Sequence, residues 1–392
     1  MQNDLNFEEN LKNCFKNHDE SSSIPPICYS DAKILEIEKE ILFKQQWICI
    51  GHVNFLKKSG DYITKEILDT PVIIIRDKSK KIRVFANVCR HRSAKLLEGK
   101  GNTRGIICPF HSWAYNLEGK LKGVPNMNDA KSFNKDDIAL KEFPSEEKLG
   151  LCFVHFGNNC EKLEDQIDNF ENIHSKWPMK QLVSTRERTF DVNCNWKAFL
   201  EVFNEYYHLP FVHPETIGDV YQLPNFPDKT NGSFTSQFGR TSGNGALLES
   251  EQQFALPDMP GLNTDVHNSV RYTWVFPNLT FAIGNDALWI YEVHPLGPET
   301  CRVFQTTCFP ESTIKLDKFE KLSKQYYHRM DAAIDEDIPA LENQQAGLRN
   351  PYAQPGRFSP LLEANVVAFA NWYARKLINS SNLRSFSNNN LN

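Results

Sequence analysis

Two short pairs, Cys89-x-His91 and Cys108-x-x-His111, stand sixteen residues apart in the first third of the chain and constrain its fold more than any other feature. Each pair offers one thiolate and one imidazole, a donor set suited to a transition metal. For all four donors to meet at one centre, the chain must bring two loops together across the intervening residues. Hairpins do this, and the flanking pattern supplies them. Val72-Ile73-Ile74-Ile75, Ile82-Arg83-Val84-Phe85 and Ile106-Ile107 read as short strands separated by Gly and Lys/Asp turns. A small all-β domain is therefore expected from Trp47 to about Phe156, with each ligand pair on a loop directly after a strand. Pro109, Phe110 and Trp113 are expected to bury the centre. Gly99-x-Gly101-x3-Gly105 has the wrong spacing for a nucleotide loop and reads as a plain turn.

Zinc also takes two cysteines and two histidines. Structural zinc fingers, however, usually place a Cys-Cys pair before a His-His pair, whereas here Cys and His alternate. The alternating order favours a Rieske [2Fe–2S] centre, in which two cysteines hold one iron and two histidines replace thiolates on the other, raising the reduction potential. Arg90 and Arg92, beside His91, read as surface or interface cations.

A second constellation lies downstream in Glu205-x-x-His208-x4-His213-Pro214. Trp196 to His208 carries helical spacing, so Glu205 and His208 would share a face. Pro210 would end that helix and let the chain present His213 to the same point. Two histidines with one carboxylate form the facial triad of non-haem Fe(II) oxygenases, which leave positions open for O2 and substrate. Spacing alone does not identify the carboxylate ligand.

The rest of the chain bounds these readings. At 392 residues it has room for two to three domains. Asp31 can cap a helix running to about Gln46, with Ile34, Ile37 and Ile41 as its buried stripe, after a polar and irregular stretch over 1–30. Residues 224–268 read as a long loop near a substrate entrance. Strands at Arg271–Phe276, Thr280–Ile283, Leu288–His294 and Val303–Phe309 form an antiparallel meander. Helices follow over 314–345, interrupted at Pro339, and over 363–378, before a frayed Ser/Asn-rich tail. A net charge of −5 carries no basic footprint, so nucleic acid is not expected as a partner. The ten cysteines are spread through a long chain with no apolar leader, so reduced thiols and a cytoplasmic location are expected. No apolar run approaches the roughly 18 residues of a membrane span.

Four stretches carry a family resemblance: Asn87-Val-Cys89-Arg-His91-Arg92, Cys108-Pro-Phe-His111-Ser-Trp113-Ala-Tyr115, Asn195-Trp196-Lys197, and Glu205-Tyr-Tyr207-His208 through His213-Pro214. With Glu336-Asp337 and Gln344-Gln345-Ala-Gly347-Leu348 further on, the chain resembles the terminal oxygenase (alpha) component of the Rieske non-haem iron oxygenases over roughly 40–380. The resemblance implies an α+β protein in which a small all-β Rieske domain is joined to a helix-on-antiparallel-sheet catalytic domain of helix-grip, START-like type. The expected boundaries are 1–45 for an N-terminal segment and helix packed on the catalytic domain, 46–158 for the Rieske domain, 159–380 for the catalytic domain and 381–392 for a disordered tail. It implies Cys89, His91, Cys108 and His111 as cluster ligands, and His208, His213 and Asp337 as ligands of a mononuclear Fe(II), with Asp335 in reserve. Glu205 becomes the bridging carboxylate between His208 and a neighbouring subunit's His111. A head-to-tail homotrimer is implied, with or without a beta subunit. Three departures stand out: Ser93 replaces the usual Gly, Val202 replaces a common Asn, and Glu205 replaces the Asp found in many aromatic-ring dioxygenases. Glu at that position is familiar from the branch acting on quaternary ammonium compounds.

The expected function is O2-dependent hydroxylation of a small organic substrate, either a betaine, carnitine or choline type of compound or an aromatic one. No dinucleotide fingerprint is present, so NAD(P)H would be oxidised by a separate reductase, with or without a ferredoxin. Trp289 with Tyr291, or Tyr272 with Trp274 and Phe276, could hold a cationic head, though such aromatics also pack cores. The alternative is an electron-transfer Rieske protein without oxygenase activity, and iron content separates the two.

Overall fold

The computed structural model describes residues 2–380, and for residues 2–6 the backbone only. The tail assigned to 381–392 lies outside the described residues. The chain divides into two compact units, Trp47–Cys160 and the flanking segments Met1–Gln46 and Glu161–Asn392 taken together.

The Trp47–Cys160 unit is built from strands Trp47–His52 (β1), Asp61–Ile67 (β2), Thr70–Arg76 (β3), Ile82–Ala86 (β4), Lys100–Asn102 (β5), Ile106–Ile107 (β6), Ala114–Tyr115 (β7), Leu121–Gly123 (β8), Glu142–Phe143 (β9), Ser145–Lys148 (β10) and Leu151–His155 (β11). They form three antiparallel sheets, ordered β1-β11-β10, β5-β2-β3-β4-β9 and β6-β7-β8. Ile73, Ile75 and Phe85 share one core with Cys89, Cys108, Trp113 and Tyr115, so the two sulfur-bearing loops are rooted in packed β structure. Gly119 tightens this core: its φ is +78° and a Cβ would strike the Phe85 ring at 2.6 Å. Gly101, expected in a plain turn, instead lies in the edge strand β5 against Tyr62 of β2.

The second unit holds one six-stranded antiparallel sheet. Its strands are Leu182–Val192 (β12), Phe234–Arg240 (β13), Ser269–Val275 (β14), Leu279–Ile283 (β15), Leu288–Gly297 (β16) and Thr300–Pro310 (β17), in the order β12-β17-β16-β15-β14-β13. The helices are Gln2–Asn13 (α1), Ala32–Glu38 (α2), Leu163–Gln166 (α3), Phe170–Ile173 (α4), Trp196–Phe203 (α5), Leu209–Val212 (α6), Glu311–Ile314 (α7), Phe319–Leu348 (α8) and Ala364–Ile378 (α9). Helices α5, α8 and α9 grip one face of the sheet: Phe203 meets Tyr291 at 4.6 Å, Phe309 meets Tyr326 at 5.1 Å, and Trp274 stacks on Phe369 at 4.1 Å.

Five sequence expectations change here. The segment 1–30, read as irregular, contains α1, and Asp31 caps an α-helix that ends at Glu38 and continues as a wider π turn over Lys39–Phe43. The segment 224–268 contains β13, whose alternation is hidden by Ser, Thr, Gln and Gly but which pairs with β14 along its whole length. Helix α8 runs unbroken through Pro339, because burial of residues such as Tyr326, Met330, Ala333, Ile334, Asp337 and Leu341 outweighs the lost backbone bond. Helix α5 stops at Phe203 rather than His208, and Pro210 sits in the first turn of α6, where its missing N–H costs little.

Candidate metal centres and catalytic cavity

In the β unit, both sulfur loops adopt the same turn. The Ser93 N–H donates to the Cys89 carbonyl at 3.1 Å and the Ser112 N–H to the Cys108 carbonyl at 3.1 Å. In each loop the cysteine N–H is then taken by the next residue's carbonyl, Ala94 or Trp113, at 2.8 Å. Both serines have positive φ, 57° and 58°. This repeated turn points two thiols inward and lifts two imidazoles toward the surface. Cys89 and Cys108 are buried, His91 is exposed, and the His91 and His111 rings lie 4.7 Å apart. The Trp113 ring stacks on His91. Phe110, expected to bury the centre, is instead 57% exposed, and Pro109 is exposed beside it, because they form the tip of the loop.

The donors suit a mixed thiolate and imidazole cluster. His111 Nδ1 is buried with no hydrogen-bond partner, as a nitrogen meant for a metal would be. Tyr115 adds a feature that the sequence reading passed over: its hydroxyl lies 3.3 Å from Cys89 Sγ and accepts the Arg90 N–H at 3.0 Å. A hydrogen bond to a ligand sulfur is one of the levers on a cluster's potential.

In the second unit, the turn between α5 and α6 is organised by Glu205. Its Oε2 accepts the backbone N–H groups of Tyr207 and of His208, the latter at 3.1 Å, while Oε1 accepts His208 Nδ1–H. Glu205 thus reaches His208 by capping a turn and not by sharing a helix face. Helix α6 then carries the chain round to His213, which is 1% exposed.

Asp337 comes from α8. His213 Nε2 lies 3.0 Å and His208 Nε2 3.6 Å from Asp337 Oδ1. One ligand atom from each of the three residues lies within 4.8 Å of the others. Asp337 Oδ1 is buried without a hydrogen-bond donor, so the donor set fits a cation. Asp335 points elsewhere, exposed and 3.8 Å from Arg188. Burial pulls the His208 pKa down, but the hydrogen bond and charge of Glu205, joined by Asp337 and Glu363, outweigh it and hold it above the ordinary imidazole value.

Glu336, beside Asp337 in sequence, has a role that spacing alone does not reveal. Its Oε2 accepts His213 Nδ1–H at 2.6 Å and the Thr216 hydroxyl at 2.7 Å. Each histidine therefore has its outer nitrogen fixed by a carboxylate and its inner nitrogen turned toward Asp337, an arrangement that sets tautomer and raises ligand basicity.

A small cavity adjoins the triad. Val202, Phe203, Tyr272, Tyr291 and Arg329 help to line it. The two aromatic sets named from sequence divide: Tyr272 and Tyr291 face the cavity, while Trp274 and Phe276 pack against Phe369. No described helix is long and apolar enough to cross a membrane.

Comparison with known proteins extends this picture. Residues 179–379 match the ring-hydroxylating alpha subunit (catalytic domain) family, and residues 46–143 match the Rieske [2Fe-2S] domain. The carnitine monooxygenase oxygenase subunit of Acinetobacter baumannii is 28% identical over 337 residues, covering 85% of this chain and 87% of that protein. The glycine betaine monooxygenase oxygenase subunit of Pseudomonas aeruginosa is 24% identical, covering 93% and 91%. Among solved structures, a quaternary ammonium Rieske monooxygenase in complex with L-carnitine superposes with a TM-score of 0.77 at 25% identity, covering 92% of this chain and 97% of that one. Naphthalene 1,2-dioxygenase from Rhodococcus sp. shares the fold at a TM-score of 0.76 and 19% identity, over 95% and 98% of the two chains.

Proposed function

The chain belongs to the ring-hydroxylating alpha-subunit family with a Rieske [2Fe–2S] domain, and from that premise we propose that it is a terminal oxygenase hydroxylating a small quaternary ammonium compound. The observation that carries the oxygenase reading is the convergence of His208, His213 and Asp337 beside a cavity. The substrate reading is supported by the carnitine and glycine betaine relatives and by a glutamate, held on His208, at position 205. An electron-transfer protein would have no use for a triad and a cavity. An aromatic substrate would also suit Phe203, Tyr272 and Tyr291, and the preference for a quaternary ammonium compound rests on the relatives.

In this proposal Cys89, His91, Cys108 and His111 hold the cluster, and His208, His213 and Asp337 hold ferrous iron. When bound, the cluster relays single electrons and the iron offers open positions to O2. The protein's own part is positioning. Glu205 and Glu336 keep the proton of each histidine on Nδ1, so that both Nε2 atoms remain available as ligands. The apolar side chains around the cavity exclude water from the reacting carbon. A separate NAD(P)H-dependent reductase supplies electrons, and the working assembly is a head-to-tail trimer in which Glu205 would link His208 to a neighbour's His111.

The test is oxygen uptake with a reductase, comparing trimethylammonium compounds with aromatic acids and following labelled O2 into product. Incorporation only into aromatic acids would refute the substrate reading. Iron equal to the cluster's content alone would refute the oxygenase reading. His213→Ala should abolish turnover while leaving the cluster's visible absorption intact.

A further inference from the structure

The catalytic cavity has two ends of opposite charge, and only one of them is explained by metal binding. Arg329, Ala333 and Asp337 lie at i, i+4 and i+8 on α8, share one stripe of the helix and all line the cavity. The first and last are separated by about 12 Å of helix rise. Ala333, between them, presents only a methyl group to the cavity. At one end stand Asp337 and the carboxylates of Glu205 and Glu336 behind the histidines.

Arg329 is the other end. It is 2% exposed, and among the described residues no carboxylate lies within ion-pair distance of it. Arg186 and Arg188, on the same unit, both pair with Asp331. Arg329 Nη2 instead donates to the Tyr221 hydroxyl at 2.8 Å, Nη1 faces Met330 Sδ at 3.6 Å, and Nε is buried with no hydrogen-bond partner among the described residues. Its guanidinium lies over the Trp289 ring at 5.2 Å. A buried cation normally keeps a counter-ion. Among the described residues none is present, and the guanidinium borders the cavity.

We propose that Arg329 binds the carboxylate of the substrate, so that this oxygenase acts on molecules with an anionic group remote from the carbon that reacts. Guanidinium and carboxylate match in charge and geometry. The inference rests on the quaternary ammonium reading given above and narrows it to zwitterions. A trimethylammonium head faces the acidic end, a carboxylate faces Arg329, and Phe203, Tyr272 and Tyr291 enclose the span between them. Choline, which has the cation but no carboxylate, would leave Arg329 unpaired.

The test is calorimetric binding of glycine betaine, carnitine, choline and benzoate to the iron-loaded enzyme without reductase and under anaerobic conditions. The wild-type protein should bind glycine betaine or carnitine at least roughly tenfold more tightly than choline, a comparison that needs no variant to fold. Arg329→Gln should weaken carboxylate binding by roughly 10- to 100-fold and leave choline unchanged or improved, while Arg329→Lys retains part of the affinity. Equal binding of choline and the carboxylates by the wild type, or an equal loss for both in Arg329→Gln, overturns the assignment of Arg329 and leaves the quaternary ammonium reading standing. Binding of benzoate but of no trimethylammonium compound overturns that reading, and its loss in Arg329→Gln would still support the arginine.

Discussion

Ser93 and Ser112 hold the two sulfur loops in a left-handed conformation that a side chain with a Cβ adopts only at a cost. Both serines are exposed, so neither is there for packing. Ser93→Gly should therefore stabilise the β unit by about 1 kcal/mol, less the entropy that glycine loses on folding, and raise the temperature at which cluster colour is lost. A fall in that temperature would mean that the Ser93 hydroxyl contributes to the loop. Glu336 lends itself to a sharper test, because it holds the outer nitrogen of His213 and not the one turned toward Asp337. Glu336→Ala should lower iron affinity or activity by roughly 10- to 100-fold while leaving the cluster spectrum unchanged. Iron content after dialysis against a chelator reads the first effect and visible absorption the second. Residues such as these were poorly visible in sequence. The proposed ligands announce themselves because Cys and His at fixed spacing have few other uses, whereas Glu336 and Arg329 are ordinary residues whose proposed roles depend on which face of α8 meets which loop.

Helix α2 and helix α5 are joined by a fully buried ion pair, and α5 leads directly into the Glu205 turn. Lys197 Nζ lies 2.7 Å from Glu38 Oε1 and donates to the Cys28 carbonyl at 2.8 Å, while Glu38 also accepts from Trp196 Nε1 and the Tyr373 hydroxyl. Lys197→Met should destabilise this unit by about 3–5 kcal/mol, because Glu38 is left charged and buried. Adding Glu38→Gln should recover part of the loss in a denaturant titration. Asp286 anchors another part of the frame, accepting from Asn244 Nδ2 and the Tyr326 hydroxyl at the start of α8. Burial pushes its pKa up to about 7, against the hydrogen bonds that favour the anion. With the folded value above the unfolded one, the folded state holds the extra proton. Its contribution is fully present below about pH 4 and is lost as pH rises through about 7, a span worth on the order of 4 kcal/mol. Asp286→Asn should flatten the fall in stability between those limits, and an unchanged pH profile would show that Asp286 ionises normally. At this scale the meander β14–β17 and helix α9 were legible, because their apolar runs and turn residues agree. Strand β13 and the true end of α5 were not: pairing with β14 is a tertiary fact that overrides local period, and the Glu205 cap is a local turn that helical spacing does not distinguish from a continuing helix.

For the whole molecule, the proposed trimer makes a prediction that no single chain can fulfil. Ile107 and Phe110, 58% and 57% exposed, surround the cluster ligands, and Tyr207 and Phe211, 53% and 75% exposed, lie beside His208. Large apolar side chains next to functional residues on both units are what a contact between copies would cover. If electrons cross from one chain to the next, a chain without a cluster can still react when its neighbour carries one. His111→Ala should remove the cluster and keep the iron site, and His213→Ala should do the reverse, so each alone is inactive. Co-expressed in equal amounts and assembled at random in a ring, a site is functional when an intact iron centre faces an intact cluster, roughly a quarter of all positions. Turnover near that fraction of wild type, appearing only when the variants are co-expressed and absent when finished proteins are mixed briefly, is the expected result. Electron transfer confined within each chain would give no activity in any mixture, and Glu205 would then have to be reassigned from a bridge between subunits to a partner of His208 alone.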